Sequence, residues 1–287
     1  MAGRRVIPSE DPNLLEYDGS FPGFLCAVCD LLNETAGAGD PRDLLICGPS
    51  RPSSLFERRV LVLRDDARAE RLWTWLARRA GEEAARKLMA AFCSDLEGAD
   101  GSVARMIVRI RREGRDALDD LGDGDARLVE KASTRTRREA HRMTGLVRFK
   151  ELRDGSLFST IDSDCDVLAL IADHFAARFP VFRWAIRDER RDAAIVHEPG
   201  CGWSIGKRFA VERDEEGGLP LSSGESGITE CWLRYFRAIA IEGRLNPRLQ
   251  ASFMPKKYWK NLTEKEGGGG DGVSLTPDPG AGIVMRR

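Results

Sequence analysis

The sequence is poor in histidine and in aromatic residues, and it has no long hydrophobic run. Its 287 residues include 3 histidines and 7% aromatic residues. No segment reaches the roughly 18 apolar residues that a membrane-spanning helix needs, and residues 1–18 lack the apolar stretch of a signal peptide. We therefore expect no membrane association.

The sequence also lacks the cysteine pattern of a disulfide framework. The 7 cysteines are odd in number and scattered along the chain, which favours reduced thiols and a cytoplasmic location. Cys26 and Cys29 have CxxC spacing, but no second pair and no histidines follow at the spacing of a zinc site. The sequence therefore predicts buried structural thiols here, and neither a metal site nor a cofactor.

Signatures of the common enzyme classes are missing or incomplete. The chain contains no GxSxG, GxGxxG or HExxH motif. The segment from Asp162 to Asp166 begins like a calcium loop, but Val167 stands where that loop needs glycine. Residues 200–207 have the wrong spacing for a phosphate loop. We interpret the first segment as a helix cap and the second as a hairpin turn.

Neither sign of charge dominates the chain. The 45 basic and 46 acidic residues leave a formal charge of −1, which excludes a polycation that coats nucleic acid but allows a local basic patch. Most of the basic residues are arginines, whose planar group of donors suits phosphate and carboxylate ligands. A nucleic-acid site would therefore have to be local.

Hydrophobic spacing predicts an α+β fold. Between residues 20 and 145, apolar residues recur every three or four positions, as in helices packed on a core, and Ser20 is a suitable N-cap for the first helix. Residues 146–152 instead alternate, as in a half-buried strand, and Asp154-Gly155 favours a hairpin turn. We expect a helical N-terminal half, then an antiparallel sheet with a packed helix, then C-terminal helices.

The predicted domain covers residues 14–263. Its helical part is residues 20–145 and its α+β part is residues 146–263. Residues 264–287 are rich in glycine and are predicted to form a disordered tail. Two short strands are expected in the N-terminal half, at residues 14–18 and 60–63.

Two stretches of the chain, residues 135–153 and 244–265, have a clear excess of basic residues. Cations interleaved with aromatic rings can hold a phosphate backbone and stack bases. On a helix, the spacing of three and four residues within the first stretch places several arginines on one face. The candidate DNA-binding residues are Arg135, Arg138, Arg142, Arg148, Lys256, Lys257, Tyr258, Trp259 and Lys260.

Several motifs occur in the order found in a bacterial family of DNA-metabolism proteins. They are Tyr17–Val28, His141–Leu152, His174–Pro180, Trp184–Arg191, Trp232–Ile241 and Asn246 to Trp259. The chain resembles this family, a domain of unknown function, from about Leu14 to Thr263. The resemblance implies a genomic neighbour that is a radical-SAM protein of DNA repair or modification. It also implies an association with a uracil-DNA glycosylase-like domain, which some family members carry as a fusion.

Three functions are compatible with these observations. The first is a DNA-binding accessory protein that acts with the radical-SAM partner in DNA repair. The second is an enzyme that processes damaged or modified bases, with Asp18, His141 and His174 as acid or base candidates and Arg142 or Arg178 holding an anion. The third is a protein-interaction adaptor that uses its aromatic C-terminal region.

Overall fold

The computed structural model describes residues 14–34, 45–49, 58–207, 209, 211–241, 244 and 246–265. The chain divides into two compact units. The N-terminal unit contains residues up to Glu139 together with Asp164–Val167, and the second unit contains Ala140–Ser163 and the residues from Leu168 onward. The division falls within one long helix, and the prediction of a single domain over residues 14–263 stays a prediction.

The N-terminal unit is mainly helical, with a small parallel sheet in the order β2-β1-β3. Ser20 caps α1 as predicted, because its Oγ accepts a hydrogen bond from the amide of Gly23 at 3.0 Å. Fully buried apolar side chains such as Phe24, Leu76 and Ile107 join the helices in one core. The elements are β1 (Leu14–Glu16), α1 (Phe21–Glu34), β2 (Leu45–Cys47), β3 (Arg59–Leu61), α2 (Asp66–Ala80), α3 (Glu82–Phe92) and α4 (Ala99–Glu113).

Helix α5 (Gly124–Leu146) is the longest helix among the described residues, at 23 residues. Its apolar positions, such as Val129, Ala132 and Met143, are buried. The opposite side of the helix is exposed and carries basic side chains. The helix is therefore amphipathic, and its buried positions determine which side faces solvent.

The second unit is built on a five-stranded sheet in the order β4-β5-β6-β7-β8. Its strands are β4 (Lys150–Glu151), β5 (Leu157–Ile161), β6 (Trp184–Asp188), β7 (Ala193–Glu198) and β8 (Gly202–Lys207). Helix α6 (Leu168–Arg178) connects β5 to β6 and packs against β7 and β8. The C-terminal helices are α7 (Glu225–Ala238), α8 (Pro247–Phe253) and two 3-10 helices, Lys256–Asn261 and Thr263–Lys265.

The structure confirms the predicted α+β class, with helices before and after the sheet. The expected wholly antiparallel sheet is wrong at one pair, because β5 and β6 are parallel. The reason is α6, which carries the chain back across the sheet so that β6 starts at the same end as β5. The hairpin turn predicted at Asp154-Gly155 is present. The turn predicted over residues 200–207 is confirmed only at its start, because Gly202–Lys207 forms β8, the return strand of a hairpin with β7.

Residues 266–287 of the predicted tail lie outside the described residues, while Glu264 and Lys265 belong to the last 3-10 helix. Among the described helices, none combines the length and the apolar character that crossing a membrane requires.

Candidate nucleic-acid interface

Helix α5 carries a row of exposed basic side chains, which we call the α5 basic face. The row consists of Lys131, Arg135, Arg138 and Arg142. Steps of four, three and four residues keep these positions on one side of an α-helix. At 1.5 Å per residue, the row extends over about 16 Å. One continuous helix therefore carries all four cations.

Arg135 is the one member of the α5 basic face whose charge is offset. Its guanidinium donates to both carboxylate oxygens of Asp95, at 2.5 and 2.7 Å. These hydrogen bonds hold the pKa of Asp95 below its usual range. Asp164 lies 3.5 Å from the same guanidinium. A phosphate would have to compete with two carboxylates for Arg135.

The other three members of the face have no such partner. No carboxylate among the described residues forms an ion pair with Lys131, Arg138 or Arg142. Glu139, which lies between them in sequence, is buried and does not face this surface. Its carboxylate accepts hydrogen bonds from the amides of Asp164 and Cys165 at 2.9 and 2.8 Å. Three uncompensated positive charges therefore remain on the face.

Arg148, a candidate of the first basic stretch, lies in a different environment. It forms two hydrogen bonds to the buried carboxylate of Glu264, at 2.8 and 3.2 Å. The indole Nε1 of Trp232 donates to the same carboxylate at 3.0 Å, and the Arg148 guanidinium lies 5.1 Å from the centre of the Trp232 ring. Arg148 and Glu264 thus bring the two basic stretches into contact. The charge of Arg148, however, is neutralised by a carboxylate of the same unit.

Most of the candidates from Lys256 to Lys260 also form ion pairs or ring contacts with other residues of the chain. Lys260 forms ion pairs with Asp162 at 2.8 Å and with Glu189 at 3.0 Å, and the hydrogen bond to Asp162 raises its pKa. Tyr258 is buried. The Trp259 ring has the ammonium groups of Lys265 and Lys256 at 4.5 and 5.7 Å from its centre.

This arrangement limits base stacking in the C-terminal stretch. Trp259 is half-buried, and its indole Nε1 donates to the carbonyl of Met254 at 3.0 Å. Lys257 and Lys256 are exposed, although the Lys257 ammonium lies 4.6 Å from the Tyr258 ring centre. The aromatic rings of this stretch therefore contact the chain's own lysines, and a base would have to displace them.

The three acid or base candidates lie in separate surroundings. Asp18, in the N-terminal unit, accepts hydrogen bonds from the amide and hydroxyl of Ser20, at 2.9 and 2.6 Å, and so shapes the turn before α1. His141 and His174, in the second unit, are exposed. No hydrogen bond between described residues joins these two histidines. Arg178 is also exposed and stacks on the Phe179 ring at 5.6 Å.

The remaining histidine is buried in the second unit. The ring of His197 stacks on Trp184 at 5.1 Å with an interplanar angle of 9°, and its Nδ1 lies 3.0 Å from the carbonyl of Phe182.

The two thiols of the CxxC pair differ in burial. Cys26 is fully buried against the backbone of Asp65, and Cys29 is half-buried. Among the described residues, no group of three or more His, Cys, Asp or Glu side chains could hold a metal ion.

The N-terminal unit also contains a basic cavity, which was not predicted from the sequence. Its volume is about 600 Å³, and it is lined by Cys29, Leu32, Asn33, Arg68, Arg71, Trp75, Arg79 and Arg111. Four of these residues lie on one face of α2, at steps of three, four and four residues. This spacing is present in the sequence, but the prediction of a helix at α2 used only its apolar positions. Arg111 comes from α4, and no local pattern could have linked it to α2.

Comparison with known proteins identifies the family. Residues 97–264 match the family described as DUF4130, a domain of unknown function. This match spans more than half of the chain, and the chain therefore belongs to that family. No curated protein and no solved structure matches the chain. The α5 basic face lies within the matched residues, whereas Arg111 alone of the cavity residues does so.

Proposed function

We propose that this protein is a DNA-binding accessory factor of DNA repair or DNA metabolism, and that it contacts DNA through the α5 basic face. The observation that carries the proposal is the set of three exposed cations, Lys131, Arg138 and Arg142, that lack a carboxylate partner among the described residues. They lie on one helix within the family region. Phosphate contacts of this kind supply most of the affinity of sequence-independent DNA binding.

The charge balance supports a local interface. With a formal charge of −1, the chain as a whole does not attract a polyanion at long range. Arginines at two of the three positions favour phosphate, because a guanidinium can bind two phosphate oxygens at once. Glu139, the acidic residue between Arg138 and Arg142 in sequence, is buried and does not lie beside these cations. The face can therefore bind phosphates despite the neutral composition.

Salt dependence of binding tests the proposal. We expect the purified chain to bind fluorescent duplex DNA, with the logarithm of the association constant falling against the logarithm of salt concentration with a slope of about −2.7, because three phosphate contacts release counterions at about 0.9 each. Fluorescence anisotropy over a salt series measures this slope. Absence of binding at low salt, or binding that salt does not weaken, would contradict the proposal.

We further propose that the accessory role includes a protein partner. The resemblance suggests the neighbouring radical-SAM protein as the partner, and a uracil-DNA glycosylase-like protein as a further member of the same process. Helix α7 offers a surface for it, because Ile228, Tyr235 and the following Ile239 are exposed by 56%, 56% and 54%. Their spacing places them along one side of the helix. Exposed apolar side chains grouped in this way are typical of protein-binding surfaces.

A double substitution on α7 tests the partner proposal. Y235S/I239S should abolish co-purification with the radical-SAM protein, because it removes two apolar contacts, and it should leave the anisotropy change with DNA as it is in wild type. The exposed Arg234, which pairs with Glu230 on the same helix, provides the control variant R234A. Co-purification that is equal for wild type and Y235S/I239S would exclude α7 as the partner surface.

A further inference from the structure

The cavity of the N-terminal unit has the dimensions of a ligand site. Its volume of about 600 Å³ lies within the range of small-molecule pockets, about 300–1,000 Å³. Most such pockets are lined by apolar side chains, whereas this one is lined by four arginines. The lining therefore selects an anionic ligand and disfavours an apolar one.

Positive charge in the cavity exceeds what the protein neutralises. Arg68 pairs with Asp30 at 2.5 Å, and Arg111 donates to the carbonyl of Leu32 at 2.7 Å. Arg71 and Arg79 form no ion pair with any described residue, and no carboxylate of the described residues lines the cavity. Arg71, Arg79 and Arg111 are exposed and Arg68 is half-buried, and like charges held near one another in a concave site repel. A bound anion would reduce this repulsion, so the cavity favours a ligand that carries negative charge.

Trp75 adds a flat apolar surface between the two unpaired arginines. Part of its ring packs against the buried core of the unit, and part lines the cavity. It lies four residues after Arg71 and four before Arg79, which corresponds to about 6 Å along the helix in each direction. A ligand that stacks a planar ring on Trp75 therefore has a guanidinium on either side for its phosphate.

We propose that this cavity binds a nucleotide, with the base stacked on Trp75 and the phosphate held by the guanidinium on one side of it, Arg71 or Arg79. The same chemistry is offered by a free nucleotide and by an unpaired nucleotide of a single strand. The proposal concerns residues of the N-terminal unit alone and does not depend on DNA binding by α5. It assigns a role to a region that lies almost entirely outside the family match.

Cys29 provides a reporter inside the cavity. Its thiol is half-buried, and burial raises its pKa, an effect that the nearby Arg68 partly opposes. Alkylation with iodoacetamide at alkaline pH, followed by peptide mass spectrometry, measures its accessibility in the full chain. Cys201 and Cys231 are exposed and belong to the second unit, so they serve as internal controls.

The probes are deoxyadenosine monophosphate, a short single-stranded oligonucleotide, a duplex and inorganic phosphate. We expect the mononucleotide or the single strand to slow alkylation of Cys29 and to leave Cys201 and Cys231 unchanged. Protection by the mononucleotide assigns a free nucleotide as ligand, and protection by the single strand alone assigns an unpaired nucleotide. Protection by no probe, by the duplex alone, or equally by inorganic phosphate would overturn the proposal.

Matched variants separate ligand contact from structural roles. R71A/R79A should raise the nucleotide concentration that gives half-maximal protection of Cys29 about 100-fold, because the guanidinium that binds the phosphate is lost whichever side the phosphate takes. W75L should raise it about 10-fold through loss of stacking. R78A/R112A, which removes the neighbouring exposed arginines of the same two helices, should bind as wild type. Equal weakening in both double variants would also overturn the proposal. If R71A/R79A does not fold, the comparison of nucleotide with inorganic phosphate on the wild-type protein still decides.

Discussion

Replacing Arg148 with alanine is expected to destabilise the second unit by about 3 kcal/mol, because it leaves the buried carboxylate of Glu264 without its ionic partner. The Glu264 side chain is 1% exposed, and that of Arg148 is 19% exposed. The substitution also removes the stacking of the guanidinium on Trp232. Urea denaturation followed by circular dichroism measures the change. R138A, an exposed change on α5, should alter stability by less than about 0.5 kcal/mol.

The loss of stability in R148A is expected to depend on pH and to be smaller at acidic pH. Burial alone would raise the pKa of Glu264, but the hydrogen bonds from Arg148 and Trp232 hold it below its usual value of 4.5. A carboxyl group whose pKa is lowered on folding contributes stability above its unfolded pKa and loses that contribution as the pH falls through the folded value. In R148A burial raises the pKa of this carboxyl, so the difference between wild type and R148A should begin to shrink above pH 4.5, as the variant takes up a proton, and should shrink further as the pH falls below 4.5. A constant difference across that range would contradict the ion-pair explanation.

Reversing two charges on the α5 basic face is expected to lower the affinity for duplex DNA by more than about 100-fold at low salt. In R138E/R142E, two cations without a described carboxylate partner become anions, so two phosphate contacts are lost and repulsion is added. Both side chains are exposed, and the fold should be retained. Anisotropy titrations measure the affinity, and thermal denaturation checks the fold.

A second double variant with the same change of net charge, placed away from the α5 basic face, serves as the control. R86E/R234E changes the net charge by the same amount at two exposed arginines. Among the described residues, their ion-pair partners are glutamates of their own helices, Glu82 and Glu230. This variant should bind DNA within about 3-fold of wild type, as expected for exposed charges outside the interface. Similar losses in both variants would show that total charge, and not the α5 basic face, governs binding.

Local sequence patterns predicted the elements of this fold better than their pairing. Apolar spacing of three and four residues located α1, α2 and α4, because one helix face is a local property of the chain. Strand β2 is only three residues long and has no alternation to detect. The parallel pairing of β5 with β6 depends on how α6 crosses the sheet, which no single segment encodes.

The same distinction applies to the candidate site. The spacing of Arg135, Arg138 and Arg142 correctly placed them on one helix face, since all three belong to one element. Which of the arginines are neutralised by a carboxylate could not be predicted from the local sequence. Arg135 meets a carboxylate 40 residues away in sequence and Arg148 meets one 116 residues away. Which cations remain available for phosphate is therefore a tertiary property.

Lysine footprinting with and without DNA tests most directly whether the α5 basic face is the DNA interface. Lys131 lies on that face, whereas Lys256, Lys257 and Lys260 lie in the C-terminal stretch. We predict that duplex DNA at low salt slows acetylation of Lys131, that high salt restores it, and that the three C-terminal lysines react equally with and without DNA. Protection of the C-terminal lysines with Lys131 unchanged would contradict the account.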